Sequence, residues 1–321
     1  MIRYHEIGEP EVLRPEQAEV PRPGPGQVLI RAAVIGVNFN AAQRRRGRGP
    51  MPPSLPGVPG GDVVGEVVET GPEVTTVQTG DLVAATVPDG AYAEFAVADA
   101  RWLQPLPTHL DLEQASALGA PAQVALSLLQ AGRLEAGESV LVHAAAGSIG
   151  HLAVQLAALL GAGRVIGTAG TVEKLDAVRG LGAAAAVDYR AAGWADKVRA
   201  ATGGDGPDVI LNGVGGPAFA EDVRLLAPFG RLVYFGTSAG PAPQVAPHEL
   251  TSVKYLVGSN FGLWRAKRPD TVRQNLSRLI EYVDTGRLRT VIGAVLPLHE
   301  AAEAHRIVED RNRIGRVLLK V

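Results

Sequence analysis

One short segment of the chain combines the residue types and the spacing of a dinucleotide-binding turn. An apolar run typical of a buried strand, Ser139 to His143, is followed by Ala-Ala-Ala-Gly-Ser-Ile-Gly over Ala144 to Gly150 and then by a helical pattern. Small residues at Ala144 and Gly147 let the backbone turn sharply and approach a pyrophosphate, and Gly150 permits close packing of the helix on the strand. The N-terminus of that helix offers N–H groups to the phosphates. The expected chemistry is dinucleotide binding; the alternative is a glycine-rich turn without a ligand.

The end of the next strand indicates which dinucleotide is bound. Enzymes that use NAD place Asp or Glu about 20 residues after the turn, on the ribose 2′-hydroxyl. Here Ile166 to Thr171 contains no acid, the first carboxylate is Glu173, and Lys174 follows it. A nearby ammonium group without a carboxylate on the strand suits a 2′-phosphate, which favours NADPH over NADH. The alternative is that Lys174 is an ordinary solvated residue in the first turn of a helix.

The residue types and spacings that the chain lacks exclude several other kinds of catalysis. The chain has no cysteine, which excludes thiolate nucleophiles, thiolate metal ligands and disulfides. The histidines outside the nucleotide segment lie at no metal-ligand spacing, so we expect them to be structural or exposed; they are His5, His109, His248, His299 and His305. No Ser-His-Asp arrangement is evident, and we expect no metal. The remaining chemistry is hydride transfer by the cofactor, which the protein orients.

Charge and hydropathy argue against several kinds of partner. With 31 basic and 33 acidic side chains the formal net charge is −2, which gives no reason to expect nucleic acid or an anionic membrane as partner. No apolar run reaches about 18 residues, the length that spans a bilayer, and Met1 to Pro10 does not resemble a signal peptide. We therefore expect a cytoplasmic protein whose partner is a small molecule.

The elements that must position these residues follow two patterns. Up to about residue 105, short β-branched runs alternate with Pro and Gly, which predicts a compact β-rich domain. From Leu118 onwards short apolar runs alternate with helical patterns, which requires a parallel sheet with helices on its faces. An amphipathic helix, Asp270 to Thr285, and two strand-like segments follow. These should return to the first domain, because a six-stranded unit is complete by Gly258.

The predicted strands are short, and those of the second pattern mostly lack alternation, as strands buried on both faces should. In the first domain they are Gln27 to Val37, Asp62 to Glu69, Asp81 to Thr86 and Ala91 to Val97. In the parallel sheet they are Ser139 to His143, Arg164 to Thr168, Ala185 to Asp188, Asp208 to Asn212, Arg231 to Gly236 and Lys254 to Gly258. The two C-terminal ones are Val291 to Leu296 and Gly315 to Val321.

The whole chain resembles the quinone oxidoreductase branch of the medium-chain dehydrogenase/reductase superfamily. The resemblance rests on an ordered set of motifs: Gly36-Val-Asn-Phe39, Pro59-Gly-Gly-Asp62, Gly80-Asp-Leu-Val83, Gly90-Ala-Tyr-Ala-Glu94, Val142 to Gly150, Val187-Asp-Tyr189 and Ala227-Pro-Phe-Gly-Arg231. It implies an α/β protein with a GroES-like β-rich catalytic domain and an inserted Rossmann domain, which is a doubly wound parallel sheet. The implied segments are 1–119 (catalytic domain, first part), 120–258 (Rossmann NADPH-binding domain) and 259–321 (return to the catalytic domain), with the active site in the cleft between the domains.

The resemblance also implies the residues of the site. It places Asn38 at the nicotinamide end, as a pocket residue of the catalytic centre, and assigns the backbone amides of Ser148 and Ile149 to the pyrophosphate. The other implied cofactor residues are Lys174, Tyr189, Ser238 and Arg311 around the adenosine phosphates, and Val214, Phe235 and Gly236 along the cofactor. Zinc-containing relatives hold the metal with Cys, His and a second Cys or Asp. Position 61 is glycine here, so the resemblance too predicts no metal.

The chain departs from the family pattern in the implied substrate pocket. Relatives often carry a Tyr shortly after the Asn-Phe pair and a Thr in the helix before the nucleotide-binding strand, whereas Gln43 and Val124 stand at those places here. Without these hydroxyls the proton donor stays unassigned. The segment Asn260 to Trp264 is expected to form a loop over the nicotinamide, where Phe261 and Trp264 would stack on a flat acceptor; alternatively, they belong to the core.

Three functions are compatible with these features. The first is NADPH-dependent reduction of a quinone or α,β-unsaturated carbonyl, since hydride addition to such an electrophile needs only hydrogen-bond donors, whereas an alcohol needs zinc or an acid/base group. The second is an enoyl-thioester reductase of acyl-CoA or polyketide type, which the basic run Arg44 to Arg48 would favour as an anion clamp; the other interpretation of that run is a solvated helix face. The third is a non-catalytic NADPH-binding protein that acts by interaction.

The resemblance further implies a homodimer formed through the last two Rossmann strands.

Overall fold

The chain folds into two compact units. The computed structural model describes residues 1–48 and 52–321. The first unit comprises Met1–Gln123 and Arg273–Val321, and the second comprises Val124–Val272. The C-terminal segment is thus part of the first unit. The domain boundaries after residues 119 and 258 stay a prediction, which limited proteolysis can test.

Strands form the sheets of both units. The N-terminal strands are β1 Ile2–Arg3, β2 Arg14–Pro15, β3 Gln27–Val37, β4 Gly61–Thr70, β5 Leu82–Val87 and β6 Phe95–Asp99. The strands of the second unit are β7 Ser139–Val142, β8 Arg164–Ala169, β9 Ala185–Asp188, β10 Val209–Asn212, β11 Arg231–Tyr234 and β12 Tyr255–Gly258. The C-terminal strands are β13 Ile292–Pro297 and β14 Arg316–Lys320.

Helices connect these strands. Those before β7 are α1 Phe39–Arg45, α2 Leu112–Ala115 and α3 Pro121–Ala131. Those that follow strands of the parallel sheet are α4 Gly150–Leu159, α5 Val172–Gly180, α6 Trp194–Ala201, α7 Gly216–Leu225 and α8 Phe261–Lys267. The last two are α9 Pro269–Asp284 and α10 Ala301–Glu309.

The second unit, which is described throughout, is a doubly wound parallel sheet. Its strand order is β12-β11-β10-β7-β8-β9, and each neighbouring pair is parallel. This is the order of two mononucleotide-binding halves, β7 to β9 and β10 to β12, and the direction of winding reverses between β7 and β10. The apolar runs that predicted these strands are buried, as in Leu141, Ile166 and Ile210, each 0% exposed. The predicted Rossmann architecture is confirmed.

The first unit is built on a mixed β-sheet that uses both ends of the chain. Strand β3 pairs antiparallel with β4 along most of its length, and on its other side with β6 at its start and β14 at its end. Strand β13 extends the sheet beyond β14. The core contains Ile30, Ile35, Val63, Val317 and Leu319. Because β14 completes this core, the GroES-like unit needs its C-terminal segment, as the resemblance implied.

Two local predictions are wrong. The strand expected over Ala91 to Val97 begins only at Phe95, because residues 91–94 lie outside the sheet and the Ala91 N–H donates to the Pro59 carbonyl at 2.9 Å. The segment Asn260 to Trp264 is not a loop. It starts helix α8, because the Asn260 side chain caps the helix by accepting the Leu263 N–H at 3.0 Å.

Candidate functional site

The turn after β7 is shaped by its own backbone. Ala144 adopts a left-handed conformation (φ +49°), and its carbonyl accepts the Gly147 N–H at 2.8 Å. A Cβ atom on Gly150 would overlap the Ala144 carbonyl oxygen, so the turn itself, more than the packing on the strand, requires glycine there. Ser148 and Ile149 are half-buried, and α4 begins directly at Gly150. The first turn of this helix therefore lies at the carboxyl end of the central strand.

Lys174 and Tyr189 follow two neighbouring strands. Because β8 and β9 are parallel, the residues after both lie at the same edge of the sheet. The Tyr189 ring packs on Gly170, where a Cβ would lie 2.9 Å from the phenol oxygen, and 45% of Tyr189 is exposed. Thr171 caps α5 by accepting the Lys174 N–H at 3.4 Å, which places Lys174 in the first helical turn. An aromatic face and an ammonium group thus share this edge.

A carboxylate at this edge has its own cationic partner. Asp188, the last residue of β9, accepts the Arg190 N–H at 2.9 Å and pairs with Arg190 Nε at 3.2 Å. The backbone hydrogen bond from Arg190 lowers the pKa of Asp188. The carboxylate is therefore ionised at neutral pH, and the guanidinium offsets its charge.

The segments after β10 and β11 lie against each other. The Ser238 N–H donates to the Gly213 carbonyl at 3.3 Å. The Phe235 ring covers Gly213, where a Cβ would lie 2.7 Å from ring atoms. Val214, Phe235 and Gly236 are half-buried, and Ser238 is exposed. These four predicted cofactor residues meet at the carboxyl edge of the sheet.

A buried polar network lies at the same ends of the strands. His143 contacts Thr168 Oγ1 at 3.0 Å through Nδ1 and Asp222 Oδ1 at 2.7 Å through Nε2. Asn212 Nδ2 donates to Asp222 Oδ2 at 2.6 Å, and none of the four residues is more than 5% exposed. The sequence analysis missed this network. The position of His143 at the end of the nucleotide-binding strand was the available signal, whereas no motif links it to Asp222 on α7.

In the first unit, Asn38 lies beside a buried ion pair. Arg316 donates to Asp62 Oδ2 at 3.0 Å, and the two side chains are 1% and 0% exposed. Burial raises the pKa of Asp62, while the Arg316 guanidinium and a hydrogen bond with Asn38 lower it. Gly36 makes room for this guanidinium, since a Cβ there would overlap it. The half-buried Asn38 side chain is therefore oriented by a buried carboxylate, not by backbone alone.

The basic run Arg44 to Arg48 forms ion pairs inside the first unit. The pairs are Arg44 with Asp89 at 2.7 Å, Arg45 with Glu309 at 2.6 Å and Arg46 with Glu9 at 2.5 Å. Arg45 is 0% exposed, so the interpretation as a solvated helix face is wrong for it. Arg44, Arg45 and Arg46 are therefore paired with carboxylates of their own unit, whereas Arg48 is exposed.

The other predicted pocket residues fall in both units. In the first, Gln43 is half-buried on α1, and Arg311 is exposed after α10. In the second, Val124 is half-buried on α3. Each position lies within an ordered part of its unit.

Helix α8 carries the aromatic residues predicted to stack on an acceptor. Phe261 and Trp264 are half-buried, while Asn260 is exposed and engaged as the helix cap. The guanidinium groups of Arg265 and Arg268 lie 6.0 and 5.6 Å from the Phe261 and Trp264 ring centres, respectively. An arginine guanidinium group therefore already lies near each of the two aromatic rings.

Residues 1–48 and 52–321 offer neither a cluster of metal ligands nor a membrane-spanning helix. No group of three or more His, Cys, Asp or Glu side chains in these ranges could hold a metal ion. Every helix there is too short or too polar to cross a bilayer.

Two family models match the chain. The alcohol dehydrogenase GroES-like domain model matches residues 24–108, and the zinc-binding dehydrogenase model matches residues 148–281. The first match falls in the first unit and most of the second in the second unit.

Characterised relatives match along nearly the whole chain. A quinone oxidoreductase of Sus scrofa is 35% identical over 99% of this chain and 96% of its own length. A 2-haloacrylate reductase of a Burkholderia species is 34% identical over 98% of this chain and 97% of its own. The structure of an Escherichia coli quinone oxidoreductase complexed with NADPH is 28% identical, covers 100% of this chain and 99% of its own, and has a TM-score of 0.91.

Proposed function

Because the chain belongs to the quinone oxidoreductases of the medium-chain dehydrogenase/reductase superfamily, we propose that it transfers a hydride from NADPH to a quinone or an α,β-unsaturated carbonyl without a metal. The observation that carries this proposal is the carboxyl edge of the second unit. There a Gly150 turn without room for a side chain adjoins the acid-free end of β8, which is followed by Lys174, and Tyr189 lies after the neighbouring strand β9. Relatives solved with NADPH support the same cofactor.

The residues of this edge fit a dinucleotide. The turn from Ala144 to Gly150 and the first N–H groups of α4 would hold the pyrophosphate. Lys174 and Tyr189 would hold the 2′-phosphate and adenosine end. Ser238, which follows β11 in the other half of the sheet, stays a proposed cofactor residue. Val214 and Phe235-Gly236 would lie along the cofactor, whose bound nicotinamide supplies the hydride. Asn38 and Arg311 stay proposed cofactor residues, and Gln43, Val124, Asn260, Phe261 and Trp264 stay proposed pocket residues.

An electrophilic acceptor suits the chemistry of these residues. Quinones and conjugated carbonyls become delocalised oxyanions when they accept hydride, and a donor such as the Asn38 amide can stabilise one. A relative named for 2-haloacrylate, a conjugated acid, supports this substrate class. The enoyl-thioester alternative is not favoured, because the relatives are named quinone oxidoreductase and 2-haloacrylate reductase and three arginines of the basic run form ion pairs. The non-catalytic alternative is not favoured, since the relatives are named for enzymatic activities.

A spectrophotometric assay of NADPH oxidation tests the proposal. Oxidation of NADPH would be followed with a panel of quinones, enones and enoyl thioesters, and repeated with NADH. We expect turnover with quinones or enones and a higher kcat/KM with NADPH than with NADH. Tight NADPH binding without turnover on any acceptor would support the non-catalytic protein instead.

We also propose that the protein is a cytoplasmic homodimer. Strand β12 lies at the edge of the second unit's sheet, and Tyr255 and Leu256 on it are 42% and 39% exposed. An exposed apolar edge strand is a ready surface for pairing with a second copy. Cell fractionation tests the compartment.

A further inference from the structure

The buried network of His143, Thr168, Asn212 and Asp222 holds a turn of the proposed cofactor site. The Asn212 Oδ1 atom accepts the backbone N–H groups of Val214 and Gly215, each at 2.8 Å. These two amides begin the segment after β10. The shape of this segment therefore depends on which way the Asn212 amide points.

The hydrogen-bond inventory fixes that orientation. Since Oδ1 of Asn212 accepts two N–H groups, its Nδ2 must donate, and the acceptor is Asp222 Oδ2 at 2.6 Å. Asp222 Oδ1 then accepts from His143 Nε2 at 2.7 Å. The other ring nitrogen, His143 Nδ1, lies 3.0 Å from the Thr168 hydroxyl, which can donate or accept there. Asp222 therefore accepts hydrogen bonds from both His143 and Asn212, one with each carboxylate oxygen.

The network joins the two halves of the sheet. His143 directly follows β7 and Thr168 lies near the end of β8, both in the first half, whereas Asn212 ends β10 of the second half. Strands β7 and β10 are those between which the winding reverses. In such a sheet the first half binds the adenosine side of a dinucleotide and the second half the nicotinamide side. A fully buried carboxylate is costly unless its hydrogen bonds are satisfied, so its place at this junction needs a reason beyond packing.

We propose that Asp222 is a positioning residue for the nicotinamide half of the cofactor. Through Asn212 it holds residues 213–215 in the conformation that receives this half, and through His143 it keeps that segment in register with the pyrophosphate turn. The inference rests on the proposed NADPH-dependent function.

Paired substitutions test the orientation. In Asp222→Leu, the Asn212 Nδ2 group loses its acceptor, so nothing holds the Asn212 Oδ1 atom towards the N–H groups of Val214 and Gly215. In Asn212→Asp, two buried carboxylates face each other. The double variant N212D/D222N restores every bond with donor and acceptor exchanged, because the amide introduced at position 222 would donate to the carboxylate introduced at position 212 and accept from His143. We therefore expect each single variant to weaken NADPH binding at least about tenfold and the double variant to recover most of it.

Ligand fragments separate positioning from general damage. Titration with 2′,5′-ADP, which carries only the adenosine end, should give the same Kd for wild type and Asp222→Leu, while the Kd for NADPH rises. The matched control is Asp208→Leu at the opposite end of β7 and β10, where Asp208 accepts from Ser139 Oγ at 2.7 Å. It should lower the melting temperature without changing either Kd.

The outcomes distinguish this inference from the proposed function. Failure of the wild type to bind NADPH would reject the proposed function. A wild-type protein that binds NADPH, with a folded Asp222→Leu variant of unchanged Kd, would reject the positioning role alone. If the single variants do not fold, the double variant decides: NADPH affinity close to wild type supports the role, and a tenfold loss in a folded double variant overturns it.

Discussion

At the residue scale, Gly150 stands where a side chain has no room, since a Cβ atom there would overlap the carbonyl oxygen of Ala144. We expect Gly150→Ala to destabilise the protein by about 1–3 kcal/mol through overpacking and to weaken NADPH binding, because the obstructing atom is backbone of the turn. Chemical denaturation and NADPH titration measure both effects. Gly147→Ala is the matched control, since its Cβ would lie 3.1 Å from the same oxygen and needs a shift of only a few tenths of an ångström. Equal effects of the two substitutions would contradict the steric argument.

The buried residue His305 makes the free energy of unfolding depend on pH. It is 0% exposed, and burial together with the Arg45 charge lowers its pKa from 6.5 to about 3. Between these values the unfolded state binds the proton and the folded state does not, so stability falls as pH decreases from 6.5 towards 3. His305 is expected to change the free energy of unfolding by at most about 1.4 kcal/mol per pH unit.

The variant His305→Gln removes this titration. Its unfolding free energy, measured by denaturant titration across the same pH range, should depend less steeply on pH than that of wild type. His109→Gln serves as the control, because His109 is exposed and pairs with Asp284 at the surface. Parallel pH dependences of wild type and His305→Gln would contradict the assignment.

At the element scale, the proposed homodimer depends on strand β12. If two copies pair along this edge, Leu256→Lys should place a charge at the interface and halve the mass measured by solution scattering. Val20→Lys changes an apolar residue that is 53% exposed in the first unit and should leave the mass unchanged. A monomeric mass for the wild-type protein would contradict the proposed homodimer.

At the scale of the whole molecule, NADPH should act as a stabilising ligand. Binding to the folded state alone adds about 2.7 kcal/mol at a ligand concentration 100 times the Kd, so the melting temperature should rise with NADPH and rise less with NADH at the same concentration. Lys174→Gln should narrow this difference by weakening the NADPH effect and sparing the NADH effect. Calorimetry with both nucleotides measures it, and an equal shift with NADH in the wild type would contradict the predicted cofactor preference.

The sequence by itself determined the architecture of the second unit. Unalternated apolar runs can be strands buried on both faces, and helical patterns between them require parallel pairing, so β7 to β12 were predicted within two residues at each end. The turn from Ala144 to Gly150 and the absence of an acid after β8 are local features, which is why they could be found without a structure.

Only the tertiary structure decided which polar groups are partners. Asp222 meets Asn212 and His143 because α7 packs on the sheet, and Arg316 meets Asp62 because the last strand joins the N-terminal sheet. The Arg44 to Arg48 run likewise looked free until the structure placed Glu9, Asp89 and Glu309 beside it. Periodicity records which side chains are buried, whereas hydrogen bonds and ion pairs between distant segments depend on distances that no local pattern encodes.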